Sequence, residues 1–304
     1  MTETDIPSPL VLEKGKARLE ILPHIGGAIG SWSFDQKEIF HPRSDSSLTA
    51  QGRVAVAAYP LVPYSNRINQ GRFSFGDEDY QLSPNREGSP HPIHGNGWEN
   101  PWNVVHRTDT HAILVFDFRP DHTEKADSHW PFAYRAVLSY VLYEKVLEVQ
   151  MVLESRDEKT QPVGLGFHPF LHCGQTSELS FSSKAVWLNG EDGLPRGKVP
   201  SAGEWSFTNP VSFYDRSLDN VFTEFGGEAL LKRGEGFPDV KISADSVFTH
   251  LVVFSPEKSD FVAIEPVTMM TDAFNHPEVA DRGVQVLKAG QRIGGTIRFH
   301  LGDH

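Results

Sequence analysis

The sequence predicts an all-β chain, a sandwich or a barrel, and three observations lead there. Apolar residues alternate with other residues at a period of two along most of the chain, the mark of half-buried strands. Glycine and proline, 26 and 21 residues, fall between the alternating runs as turn signals. No long segment shows a helical period with caps. Many strands with few helices fit a sandwich or barrel better than any layered α/β architecture.

In chain order, "MTETDIPSPL" at residues 1–10 reads as a loose tail. It is acidic and polar, without the positive start and apolar run of a signal peptide. "RFSF" followed by "GDEDYQL" reads as a strand, a turn and a returning strand. "AILVFDFRP" is a strand closed by proline. In "KVLEVQMVLES", Leu147, Val149, Met151 and Leu153 alternate with Glu148, Gln150, Val152 and Glu154. Residues 189–205, "NGEDGLPRGKVPSAGEW", form the longest turn-rich stretch, either a loop rimming a site or a plain connection. "HLVVFSP" and "FVAI" are apolar strands, and in "TIRFHL" Ile297, Phe299 and Leu301 alternate with Thr296, Arg298 and His300. No composition shift, internal repeat or low-complexity linker divides the 304 residues, so they read as a single domain.

Composition narrows the function. Hydrophobic residues make up 38% and charged residues 22%, an ordinary globular balance. Twenty-eight basic against forty acidic residues give a net charge of −12. That argues against nucleic acid, which needs a Lys/Arg surplus, and against an anionic membrane surface. The lone cysteine, Cys173, permits no internal disulfide and no cysteine-rich zinc site; it reads as a small buried hydrophobe. No apolar run approaches the roughly 18 residues of a membrane span. The expected setting is cytoplasmic.

Four segments can carry chemistry. "YPLVPYSNRINQGRF" sets Asn66 and Arg67 beside Tyr64 and Ser65, donors and acceptors suited to a polyhydroxylated ligand or to holding the loop itself. "HPIHGNGWENPW" crowds His91, His94, Trp98 and Trp102 into a glycine-broken stretch. A histidine there can bond a hydroxyl, and an indole face can pack on a sugar ring. Carboxylate and cysteine partners that would complete a metal shell with His91 are not evident at ligand spacing, so no metal is assigned. In "VGLGFHPFLH", His168 and His172 have the spacing of a helical zinc motif, but Gly166 and Pro169 discourage a helix. On a strand they stand roughly 13 Å apart. His168 is the functional candidate and His172 a structural one. In "FVAIEPVTMMTDAFN", Glu265 ends an apolar run, where it is either ion-paired or chemically employed. Burial would raise its pKa and make it a stronger base. Asp219 in "SLDNVF" reads as a turn-forming residue or as part of a site. The chain has no G-x-S-x-G elbow, P-loop or strand–GxGxxG–helix fingerprint.

Taken in order, "PLVPYSNRINQGRFSF", "HPIHGNGW", "GFHPF" and "IEPVT", with "LDNVF" between the last two, resemble the aldose 1-epimerases (galactose mutarotases). The resemblance implies a large antiparallel β-sandwich of the galactose mutarotase-like supersandwich type. It implies cofactor-free anomer interconversion of a small-molecule aldose by a monomer or homodimer. Glu265 would be the base on the C1 hydroxyl and His168 the acid on the ring oxygen. His94, Asn66, Arg67 and Asp219 would bind the sugar, with Trp98 on the pocket wall. A hexose 6-phosphate epimerase, using Arg67, Arg72 or Arg86, and a non-catalytic sugar-binding protein are the alternatives. One feature departs from the pattern: Val252 and Phe254 stand where galactose mutarotases carry a glutamine and a tyrosine, which removes one hydroxyl contact and leaves galactose preference open.

Overall fold

A computed structural model describes residues 8–42, 56–120, 130–234 and 236–302. Their strands are β1 (Leu10–Lys14), β2 (Ala17–Leu22), β3 (Ala28–Phe34), β4 (Lys37–Glu38), β5 (Ala58–Leu61), β6 (Arg72–Phe75), β7 (Glu78–Gln81), β8 (Asn103–Arg107), β9 (His111–Phe118), β10 (Tyr134–Leu142), β11 (Val146–Ser155) and β12 (Gln161–Val163). They continue as β13 (Gly166–His172), β14 (Glu178–Phe181), β15 (Ala185–Asn189), β16 (Pro195–Pro200), β17 (Val211–Ser212), β18 (Leu218–Thr223), β19 (Glu228–Lys232), β20 (Val240–Ala244), β21 (His250–Ser255), β22 (Phe261–Val267), β23 (Gln285–Leu287) and β24 (Arg292–Leu301). The helical elements among the described residues are single 3-10 turns. The fold is all-β, as the period-two pattern predicts.

An 11-stranded sheet runs β1-β2-β3-β5-β13-β22-β21-β18-β15-β16, with β4 on β3; a 9-stranded sheet runs β17-β14-β19-β20-β24-β11-β10-β9-β8. Neighbouring strands pair antiparallel. The two sheets pack face to face through aromatic rings. Phe299 of β24 meets Trp32 of β3 at 6.3 Å, Phe40 at 5.1 Å and Phe167 of β13 at 6.2 Å, centroid to centroid. These rings bring the large apolar area that drives sheet-on-sheet packing.

In β11 and β24 buried residues alternate with more exposed ones, so one face meets the core and the other meets solvent. Strands β5, β13 and β22 are buried on both faces. One face of β13 carries Phe167 into the sandwich core, and the opposite face carries His168. Something must therefore cover that opposite face, and residues 62–99 do so. Parallel and antiparallel bridges from Val62 to Gly95 and from Arg67 to Ile93 fasten this cover together.

Three local expectations change. Of the ten residues read as a tail, 1–7 lie outside the described residues, and Leu10 opens β1 with its side chain buried. The turn-rich stretch 189–205 contains an edge strand, β16, paired with β15; alternation there is masked by Pro195, Gly197 and Pro200. Asp219 lies in β18, opposite Phe254 of β21, and not in a turn.

Candidate active site

The floor of the site is two rungs of the larger sheet. β13 and β22 are paired at Gly166–Val267 and again at Phe170–Ala263, which sets His168 opposite Glu265. Pro169 and Pro266 lie in the interval and donate no N–H to the ladder, so the strands carry side chains there without continuous backbone pairing. On the outer sides, His168 pairs with Tyr59 and Glu265 with Val252. The first rung is thus Tyr59, His168, Glu265, Val252. Two residues along, on the same face, the second is Phe170, Ala263, Phe254, Asp219. Side chains directly opposite in adjacent strands stand close enough to touch. His168 Nε2 lies 3.2 Å from Glu265 Oε1, with both side chains buried.

The covering loops supply the walls. His94 and Asn66 hold each other: His94 N–H donates to the Asn66 carbonyl at 3.0 Å, and Asn66 N–H donates to His94 Nδ1 at 3.0 Å. Both residues take left-handed backbone, with φ of 64° and 62°. Such conformations are costly for side-chain-bearing residues and persist where the surroundings fix them. Gly95 follows at φ 69°, and a Cβ there would stand 2.1 Å from the Val62 carbonyl oxygen, so only glycine fits. Asn85 clamps the same loop, donating to the carbonyls of Ile93 and Gly95 and accepting from Ile93 N–H. Trp98 donates its indole N–H to the Gly95 carbonyl at 3.1 Å and Trp102 donates to Gly97 at 2.8 Å. The tryptophans of this segment thus brace the turn that presents His94. Asp272 fixes the other wall: its N–H donates to the Arg67 carbonyl and its carboxylate accepts from Asn69 N–H.

The cavity between floor and walls is about 140 Å³. All seven site residues expected from the sequence, Glu265, His168, His94, Arg67, Asn66, Asp219 and Trp98, line it. So does Arg86, which the sequence offered only for the sugar-phosphate alternative, and so do Tyr59, Ile93, Phe170, Pro256 and Phe261, which the sequence did not assign to a pocket wall. Tyr59 stacks on His168 at 4.7 Å and 21°, packing the imidazole against an aromatic face. Its signal was its place at the head of the Asn66–Arg67 segment. Val252 and Phe254, the departures from the family pattern, both line the cavity and present apolar surface. Arg72 faces elsewhere and donates to Gln81 at 2.9 Å. His172 packs at a tilt against His41, centroids 4.3 Å apart, outside the cavity. His91 accepts Gln70 N–H on Nδ1 and holds that turn. Cys173 is half-buried, its thiol pushed up to about 12 by burial. Among the described residues no cluster of His, Cys, Asp and Glu is placed to hold a metal ion.

Electrostatics follow from burial. Glu265 is driven well above the ordinary carboxylate range, first by burial and then by the nearby Asp219, with Arg67 opposing. His94 is held well below the ordinary imidazole value by burial, reinforced by His168 and Arg67. Its Nδ1 already accepts a hydrogen bond, so the neutral ring carries its proton on Nε2 and offers a donor. Asp219 is raised by burial while Arg67, 3.7 Å away, pulls it back.

The family model for aldose 1-epimerases matches residues 9–300. The chain belongs to the aldose 1-epimerase family. Among its relatives, the uncharacterized protein YphB of Escherichia coli is 24% identical over 280 residues, covering 89% of this chain and 91% of YphB. A galactose mutarotase-like protein of Clostridium acetobutylicum superposes with a TM-score of 0.82 at 20% identity, covering 97% of this chain and 95% of the other. Galactose 1-epimerase of Lactobacillus acidophilus superposes with a TM-score of 0.73 at 17% identity, covering 96% and 94%. These likenesses establish the shared galactose mutarotase-like sandwich, and the matched region includes both floor strands and both walls. No helix among the described residues is long and apolar enough to cross a membrane.

Proposed function

We propose that this family member is an aldose 1-epimerase that interconverts the α and β anomers of an aldose. The observation that carries the reading is the buried His168–Glu265 pair, 3.2 Å apart, on the floor of a cavity walled by Asn66, Arg67, His94 and Asp219. Ring opening needs a base and an acid side by side, with one proton fewer than two. In the reaction, the Glu265 carboxylate takes the proton from the C1 hydroxyl. The O–H electron pair becomes the C1=O π bond, the C1–O5 bond breaks, and O5 takes the proton from His168. Rotation about C1–C2 turns the other aldehyde face toward O5. The reverse transfers close the ring and restore both side chains. Burial makes the Glu265 carboxylate, once formed, a stronger base.

His94 donates Nε2–H to an oxygen of the sugar. Arg67 donates to hydroxyls and Asp219 accepts from them. Tyr59, Trp98, Phe170 and Phe254 offer apolar surface to the C–H faces of the ring. Exchange spectroscopy of an equilibrated aldose tests this: the wild type is expected to raise the anomer exchange rate, and His168→Gln to remove most of that increase. Equal exchange with both proteins would sink the assigned role of His168.

A further inference from the structure

The cavity above the His168–Glu265 pair has two unlike ends. Arg67, Arg86, Ile93 and Asp219 line it at one end, and the same four residues line the wider space outside. Phe170, Phe254, Pro256 and Phe261 line the inner cavity alone. Phe170 and Phe254 stand opposite Ala263 from either side, and Phe261 lies two residues before Ala263 on the same face of β22. The Phe261 ring meets those of Phe170 and Phe254 at 5.6 and 6.0 Å, so three phenyl rings frame the small Ala263 side chain. None of these side chains carries a hydrogen-bonding group.

The reacting pair sets how a sugar ring lies over these two ends. With the C1 hydroxyl at Glu265 and the ring oxygen at His168, the C1–O5 edge of the ring lies across the gap from β22 to β13. C2 and C3, reached through C1, fall on the side of β21 and β18, where Asp219 and Arg67 meet hydroxyls. C5, bonded to the ring oxygen, falls on the β13 side. The next side chain along that face of β13 is Phe170, its ring 4.6 Å from that of His168. In the other direction Gly166 leaves no recess, because a Cβ there would stand 2.6 Å from Val267 and 3.0 Å from Leu61. We infer that Phe170, Phe254 and Phe261 form a subsite for an apolar group on C5, and that the preferred substrates are 6-deoxyaldoses, whose C6 methyl lies on those rings. This rests on the epimerase reading and names its substrate class. A methyl group gains by leaving water. The C6 hydroxyl of an ordinary hexose would instead exchange its hydrogen bonds to water for phenyl faces.

Polarimetric rates on two matched sets of sugars test this. D-glucose, 6-deoxy-D-glucose and D-xylose share one ring configuration and differ only in the group on C5, as do D-galactose, 6-deoxy-D-galactose and L-arabinose. In at least one set the 6-deoxy sugar is expected to exceed both the hexose and the pentose in kcat/KM by at least about fivefold, the ratio set by one buried hydroxyl left unpaired or one apolar carbon left out. Phe261→Gln puts an amide beside C6 and is expected to lower the 6-deoxy-to-hexose ratio by at least about threefold. A ratio of two sugars on one preparation does not depend on how much of a variant is folded. A smaller advantage in both sets, or none, would overturn the inference and leave the epimerase reading intact. So would an advantage that Phe261→Gln lowers by less. Should no sugar be accelerated, the epimerase reading fails, and calorimetry on Glu265→Gln still decides the subsite. Tighter binding of a 6-deoxy sugar than of its hexose supports it; equal or weaker binding overturns it.

Discussion

Asn66 and His94 each occupy left-handed backbone, and each supplies the other's hydrogen bond. The arrangement fixes the tautomer of a buried, neutral histidine and leaves Nε2–H as its donor beside the cavity it lines. Removing a buried donor that meets a substrate oxygen costs about 1–3 kcal/mol. His94→Ala is therefore expected to lower kcat/KM by roughly 5- to 150-fold, with the loss measured by anomer exchange. Burial holds His94 well below its ordinary value, so it stays neutral as the solution is taken from pH 8 to pH 6. The ratio of wild-type to variant activity is expected to be flat over that window. A ratio that falls as pH drops through 6.5 would mean that His94 titrates there and acts otherwise. Little of this was legible in the sequence. The residue types in "HPIHGNGW" pointed to a wall of a sugar pocket, but left-handed backbone at Asn66 and His94 follows from tertiary hydrogen bonds that no local pattern encodes.

At the scale of elements, alternation located the strands and could not order them. Tyr59, His168, Glu265 and Val252 come from four segments spread over about two hundred residues, and only the order β5-β13-β22-β21 makes them one rung. The family blocks gathered the polar members; Tyr59, Phe170 and Phe261, which look like ordinary core residues, needed the register. Asp219 read as a turn residue because one Asp–Asn pair interrupts its strand, and cross-strand pairing with β21 overrides that preference. The turn behind His94 carries its own titration. Burial pushes the Glu99 carboxyl up to about 7, with the Asn85 amide opposing. Between the ordinary carboxylate value and about 7, the native chain holds a proton that the unfolded chain has released. Stability is therefore greatest in acid on this account and falls as pH rises through that window. Glu99→Gln keeps an acceptor for Asn85 and removes the ionisation. It is expected to raise stability at pH 8 by about 1–3 kcal/mol and to change nothing at pH 4.5, in paired denaturant titrations. A gain of the same size at both pH values would place the effect in packing rather than in charge.

Across the whole molecule, the sandwich core and the site share β13. Phe167 packs into the aromatic cluster with Trp32, Phe40 and Phe299, and the next residue, His168, stands on the opposite face as the proposed acid. Phe299→Ala opens a cavity beneath β13 and is expected to cost about 3–5 kcal/mol. Urea unfolding measures that loss. Because its ring partners Trp32, Phe40 and Phe167 are core residues that do not line the cavity, kcat at 25 °C is expected to stay within about tenfold of wild type. Loss of activity without loss of stability would mean that the core variant acts on the site by another route. The central claim, that Glu265 is the base of an anomer-interconverting pair, is tested most directly by polarimetry of freshly dissolved α-glucose and α-galactose, with wild type and Glu265→Gln side by side. The account predicts faster approach to the equilibrium rotation with wild type for at least one sugar, and a loss of at least 100-fold in that acceleration with the variant. Equal acceleration by the two proteins would contradict it.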